Sequence, residues 1–230
     1  MVIILMGKSA SGKDTLQKQI AEDYDIERVV TATTRAMREG EQDGKDYHFM
    51  TNEQFNDLKA AGGFVETAEF NGVQYGCPKS SIDFEKEQCI ILEPEGVQNF
   101  IRELGRENVF VAYLDLDDAT RKFRAEGRGS FSEDKWEKRL QSDNERFSEN
   151  VIEDLANMHI DLNTAMWCGV SPRQIATDIM QGLEVYKSDM EVHPGEKRVV
   201  YWNDDDYCYD TSSPEDLAKV KEEPDEILPF

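Results

Sequence analysis

Seven residues near the start of the chain, Gly7-Lys8-Ser9-Ala10-Ser11-Gly12-Lys13, have the types and spacing to hold a polyphosphate. They match G-x-x-x-x-G-K, in which glycines let backbone N–H groups turn toward one anion and the lysine reaches its terminal phosphates. The apolar run before them, Val2-Ile3-Ile4-Leu5-Met6, suits a short buried strand. Asp14-Thr15-Leu16 after them suits a helix start, whose partial positive charge adds to the attraction. Residues 7–15 are therefore the candidate site for a polyphosphate. In this pattern the residue after the lysine is a Ser or Thr whose hydroxyl ligates Mg2+. Asp14 stands there instead. A carboxylate is a good Mg2+ ligand, directly or through water, but it also places a negative charge beside the triphosphate.

A second cluster of groups able to hold phosphate lies between Thr31 and Phe49: Arg35 and Arg38 three apart, neighbouring threonines and Tyr47. An arginine offers a planar fork and a hydroxyl a single bond. A solvated polar loop would have the same composition. The order Thr33-Thr34-Arg35-x-x-Arg38-x-Gly40-Glu41-x-x-Gly44-Lys45-Asp46-Tyr47-x-Phe49 resembles the signature of guanylate kinases. Further segments follow in that family's order. They are Gly63–Phe70 with Tyr75-Gly76, Cys89–Gly96, Glu126-Gly127-Arg128-Gly129 with Lys138-Arg139-Leu140, and Met158–Asn163. The resemblance runs from about residue 2 to about residue 186.

The resemblance implies an α/β P-loop NTPase fold: a parallel sheet flanked by helices, an inserted segment (about 32–88) for the nucleoside monophosphate, and a helical lid (about 124–150). It implies transfer of the γ-phosphoryl of ATP to GMP, and to dGMP, with Mg2+ as cofactor. Lys13, Arg35, Arg128 and Arg139 would act on the phosphates, with Arg124 assisting, and Asn163 would join the ATP site. Thr31, Arg35, Arg38, Tyr47, Glu66, Tyr75, Cys77, Glu93 and Glu95 would hold GMP. A carboxylate at Glu66 accepts from guanine N1–H and N2–H and so selects guanine over adenine.

Besides Asp14, three departures from the family pattern stand out. Cys77 replaces a Ser or Thr, Glu93 and Glu95 around Pro94 replace paired aspartates, and Met37 replaces a proline. They leave open a different monophosphate as acceptor, while the Gly12-Lys13-Asp14 ending of the loop resembles that of ribose bisphosphate kinases and leaves open a ribose bisphosphate. The acidic C-terminal extension leaves open a non-catalytic protein-binding module, although Lys13 and the lid arginines argue against one.

The elements needed to position these groups are legible as patterns. Thr15–Tyr24 reads as an amphipathic helix and Arg28–Ala32 as a short strand, with a helix following a cap at Thr51 or Asn52. Cys89–Leu92 and Asn108–Leu114 read as buried strands. Asp118–Glu126, Ser132–Asn150 and Ser171–Tyr186 read as helices, the last with Pro172 at its first position.

The chain has 230 residues and a formal net charge of −22, which argues against sequence-independent nucleic-acid binding. Cys77, Cys89, Cys168 and Cys208 are far apart and read as packing residues, with no zinc or disulfide pattern. No apolar stretch reaches transmembrane length, and Val2–Met6 is too short for the core of a signal peptide. The expectation is a cytoplasmic protein, monomeric or homodimeric, with no membrane partner. The domain is expected to end near residue 186. Residues 187–230, with 13 acidic against 5 basic side chains, form an acidic extension whose Arg198–Trp202 suggests a small hairpin.

Overall fold

The computed structural model describes residues 1–70, 72–127, 131–192, 200–201 and 209–210. In chain order these form β1 (Val2–Met6), α1 (Lys13–Tyr24), β2 (Glu27–Arg28), β3 (Ala32–Thr33), β4 (His48–Phe49) and α2 (Asn52–Ala60). Then come β5 (Phe64–Phe70), β6 (Val73–Pro78), β7 (Gln88–Leu92), α3 (Pro94–Leu104), β8 (Val109–Asp115), α4 (Asp118–Glu126) and α5 (Glu133–Arg146). The remainder are α6 (Glu149–Leu155), β9 (Met158–Asp161), α7 (Leu162–Trp167), α8 (Pro172–Val192), β10 (Val200–Tyr201) and β11 (Tyr209–Asp210).

The large sheet has the order β11-β10-β9-β8-β1-β7-β2. Strand β1 lies between β7 and β8, parallel to both, with Ile4 level with Ile90 and Val111. A strand covered on both faces cannot alternate apolar with polar residues, which is why Val2–Met6 is continuously apolar. Ile3 and Leu5 face a core shared with α1 and α8, including Leu16, Ile20, Ile179 and Leu183. Val2, Ile4 and Met6 face the opposite core with Val97 and Phe100 of α3. Each such side chain, fully removed from water, contributes about 1.5–3 kcal/mol. The sheet thereby holds the end of β1, and the loop that leaves it, at a fixed place.

The small sheet has the order β4-β3-β6-β5. Helix α2 covers it, with Phe55 stacked on Phe64 at 4.4 Å between ring centroids. Thr51 caps this helix in a complete capping box with Gln54, worth about 1 kcal/mol. Two differences from the sequence patterns have physical causes. The expected strand over 28–32 is divided between the sheets, because Val29 packs into the main core while Ala32 and Thr33 are buried in the small sheet. The expected helix over 132–150 is broken at Phe147, whose ring turns into the core 6.2 Å from that of Tyr113, and α6 restarts after Ser148.

Val200–Tyr201 adds to the main sheet parallel to β9 and pairs antiparallel with Tyr209–Asp210. The rest of the expected hairpin, including Trp202 and residues 203–206, lies outside the described residues, as do Cys208 and Arg128. Among the described residues no helix is long and apolar enough to cross a membrane.

Candidate functional site

The donor loop runs from the end of β1 into α1. Gly7 is required because a Cβ there would lie 2.8 Å from the Leu114 carbonyl oxygen. Ala10 and Gly12 both have left-handed backbone, at φ 64° and 109°, the geometry that turns successive N–H groups into a concave anion nest. The Ser11 hydroxyl is buried in this loop without a hydrogen-bond partner. Lys13 folds back over the loop, its Nζ donating to the carbonyls of Gly7 (2.7 Å) and Lys8 (3.0 Å). Burial lowers its pKa, while the carboxylates of Asp14, Asp143 and Glu93 pull the other way. Asp14 and Thr15 are exposed in the first turn of α1.

Helices α4 and α5, the expected lid, meet this loop. Arg124 of α4 donates to the Ser11 carbonyl at 2.9 Å and to Met166 Sδ at 3.0 Å. Lys8 donates to Asn144 of α5 at 2.9 Å. Arg139 is exposed on α5 and forms no ion pair or hydrogen bond among the described residues. Beside the loop a cavity of about 470 Å³ opens between Ser11, Thr15, Arg124, Met166, Val170 and Ile175. It is partly apolar and large enough for a purine ring. Asn163, expected in this site, lies at the start of α7, where its amide donates to Asp161 at 3.0 Å and its oxygen accepts from the Asp117 N–H at 3.0 Å.

The acceptor candidates collect on the small sheet. Tyr47 and Tyr75 meet edge to face at 6.3 Å. The Arg35 guanidinium lies over the rings of Tyr47 (5.5 Å) and Phe49 (5.7 Å). Glu41 grips Arg35 with two bonds of 3.0 and 2.7 Å and also accepts the Arg38 N–H at 2.7 Å. The Arg35 hydrogen bonds hold the Glu41 carboxyl at a pKa of about 2. The Arg38 side chain is exposed. Thr31 is half-buried at the sheet's entry, its carbonyl accepting the His48 N–H at 2.8 Å.

Glu66 on β5 pairs across the sheet with Cys77 on β6. Burial raises the Glu66 pKa to about 7; a backbone bond from Cys77 opposes this and the Glu95 charge adds to it. Burial also pushes the Cys77 thiol up, and its Sγ lies 3.7 Å from the Pro78 carbonyl. Glu93 stands at the N-cap position of α3 without a side-chain cap bond and pairs with Arg146, and Glu95 is exposed in the first turn of that helix.

The sequence reading missed the residues that join the two lid helices to the loop. Arg121 is completely buried, and Asp143 is buried beside it. The available signal was a carboxylate at 143 on the same helical face as Trp136, Leu140 and Phe147, where a charge needs a buried partner. The apolar cavity wall at Met166, Val170 and Ile175 was also missed.

The guanylate kinase family model matches residues 1–166. Guanylate kinase from Lactiplantibacillus plantarum is 38% identical over 136 residues, 56% of this chain and 66% of that protein. Guanylate kinase from Parasynechococcus marenigrum is 34% identical over 169 residues, 71% of this chain and 92% of that protein. Among solved structures, guanylate kinase from Anaplasma phagocytophilum has the same fold, with a TM-score of 0.57 at 22% identity over 82% of this chain and 85% of that chain. The chain belongs to the guanylate kinase family.

Proposed function

We propose that this protein transfers the γ-phosphoryl group of ATP to GMP, and to dGMP through the same base and phosphate contacts, giving ADP and GDP. The observation that carries this reading is the pairing of two unlike anion sites. A nest of backbone N–H groups with Lys13 suits a triphosphate, and Arg35 with Tyr47 and Tyr75 suits a monophosphate, near a half-buried carboxyl at Glu66 suited to guanine.

In this reading residues 7–15 cradle the donor, and Lys13 exchanges two backbone carbonyls for phosphate oxygens. Arg35 and Arg38, with the hydroxyls of Tyr47 and Tyr75, hold the α-phosphate of GMP in line. One of its oxygens bonds to the γ-phosphorus as the bond to the ADP oxygen breaks. The phosphoryl group passes through a transition state that needs position and positive charge more than covalent help. Arg124, Arg128 and Arg139 supply that charge from the lid.

Glu66, when ionised, accepts from guanine N1–H and N2–H. Thr31, Cys77, Glu93 and Glu95 border the base, and Asn163 acts on the ATP side only through the frame of α7. No three Asp, Glu, His or Cys side chains form a metal cage among the described residues. That suits Mg2+, which is held by one or two carboxylates together with substrate phosphates. The exposed Asp14 carboxylate fits this role. When bound, Mg2+ neutralises charge on the β- and γ-phosphates.

A coupled assay of ADP release over GMP, dGMP, AMP, CMP, UMP and ribose 1,5-bisphosphate tests the proposal, with Lys13→Ala as control. GMP and dGMP should be the preferred acceptors. GMP turning over no faster than AMP would overturn the base assignment, and no turnover with any acceptor would favour a binding module.

A further inference from the structure

The most deeply buried cation in the described residues has no part in the mechanism above. Arg121, near the start of α4, is 0% exposed. Its Nη1 donates to the Ser9 carbonyl at 2.9 Å and to Asp143 Oδ2 at 2.8 Å, and its Nη2 donates to Asp118 at 2.5 Å. Its guanidinium lies 5.5 Å from the ring of Trp136. Asp143 of α5 accepts in addition the Ser9 N–H at 2.9 Å and the Ser9 hydroxyl at 3.2 Å. One ion pair therefore holds the N–H, the carbonyl and the hydroxyl of a single donor-loop residue.

Stability does not account for this arrangement. Two charges taken out of water lose their hydration, and well-packed apolar side chains in their place are often as stabilising or more so. The location is more informative. The pair stands where the loop, α4 and α5 meet. Arg124 lies one turn after Arg121 on α4, and Arg139 lies one turn before Asp143 on α5. Ser9 immediately precedes the left-handed Ala10, so its peptide sets the direction in which the following N–H groups point.

We infer that Arg121 and Asp143 are positioning residues for the donor triphosphate. They lock the Ser9 peptide that shapes the nest, and they fix how far above it each lid helix carries its phosphate-facing arginine. The turnover part of this inference rests on the phosphotransfer reading; the ATP-binding part does not.

The test uses the full chain and measures ATP affinity by calorimetry with Mg2+, then kcat and KM for GMP. Arg121→Met/Asp143→Ala removes both charges and leaves neither unpaired. It should unfold within a few degrees of the unmodified protein. Its ATP affinity and kcat should each fall about ten-fold, with KM for GMP unchanged. Asp143→Asn keeps the shape and one acceptor, and should show a smaller loss of the same kind; it decides the matter if the double variant does not fold. A folded variant of either kind with undiminished ATP affinity and kcat overturns the inference, as does an equal loss in KM for GMP. If the unmodified protein binds ATP yet leaves GMP unphosphorylated, the functional reading fails while the ATP-affinity comparison still decides the positioning role.

Discussion

The donor loop and the acceptor sheet are both suited to phosphate, but they keep their cations in opposite ways. On the donor side Lys13 rests on the carbonyls of Gly7 and Lys8, and Arg124 on that of Ser11. On the acceptor side Arg35 is gripped by the Glu41 carboxylate and flanked by aromatic rings. A neutral carbonyl is a weak competitor for an ammonium group when a triphosphate arrives. A two-bond carboxylate is a strong one, since it opposes the guanidinium with a full negative charge in a bidentate fit. The difference teaches that Lys13 is stored and can move, whereas Arg35 is fixed before its ligand arrives. GMP must then join the Arg35–Glu41 pair through the remaining N–H groups and the tyrosine hydroxyls, not displace it.

The sharpest way to break this comparison is to remove one cation from each side. Lys13→Ala should lower kcat on the order of 10³-fold, because the lysine's bonds form most strongly with the transferring group. Its KM for GMP should change little. Arg35→Ala should act on the other ligand, raising KM for GMP by roughly 100-fold while ATP affinity stays within a factor of about two. Steady-state kinetics with direct ATP titration separates the two effects. Equal losses in the same parameter would mean that the two sites do not divide the substrates as proposed.

These two sites were not equally legible in the sequence. The donor loop is contiguous, and its chemistry lies in the backbone, so seven residues and a preceding apolar run were enough to find it. The acceptor side draws on β3, β4, β5 and β6, and residues that meet there can be forty or more positions apart, as Ala32 and Gly76 are. Only the family resemblance brought them together in advance. The main-sheet strands and Asp118–Glu126 were legible because apolar runs and amphipathic periods report burial directly. The division of residues 28–33 between two sheets was not, since local propensity is the same for either partner strand. Arg121 was hidden for a related reason: a charged residue in a charged helix looks solvated until its partner on another helix is known, and only the apolar face around Asp143 hinted at that partner. Asn163 was assigned to the ATP site by resemblance alone, and in the structure its side chain bonds to Asp161 and to the Asp117 N–H.

A change of intermediate size concerns Glu66, the group on the acceptor side whose charge is not settled at neutral pH. Its pKa is near 7 in the folded chain, against 4.5 for an ordinary glutamate. Only the ionised form accepts both guanine donors, so the affinity of the free enzyme for GMP should rise with pH through about 7. Glu66→Gln should remove that pH dependence and raise KM for GMP by roughly 10- to 100-fold, with ATP affinity unaffected. Stability carries the opposite sign. Between pH 4.5 and 7 the folded chain keeps a proton that the unfolded chain has released, so this group makes stability fall as pH rises across that window. The glutamine variant should therefore be more stable at pH 8, by roughly 1–2 kcal/mol after allowing for its partial exposure. Denaturant unfolding at pH 5 and pH 8 reads this directly. A variant that lost stability at pH 8 would show that the carboxylate is better paired than its burial suggests.

The smallest expected effect lies back on the donor side, at Asp14. Its carboxylate is exposed, lies in the first turn of α1 and makes no side-chain cap, so its contribution to folding is limited to a few tenths of a kcal/mol with the helix dipole. Its effect on ligands has two opposing parts. It repels the triphosphate and it attracts the cation that accompanies it. Asp14→Ser removes both and leaves a hydroxyl able to ligate Mg2+. The free Mg2+ concentration for half-maximal rate should rise by about two- to five-fold, the range of an exposed charge interaction. ATP binding measured without Mg2+ should tighten by a similar factor. The two shifts together distinguish a cation ligand from a bystander charge: a bystander would change the second and leave the first in place. An unchanged Mg2+ dependence would return Asp14 to the role of a helix N-terminal acid, and the donor loop would then hold its metal through phosphate oxygens alone.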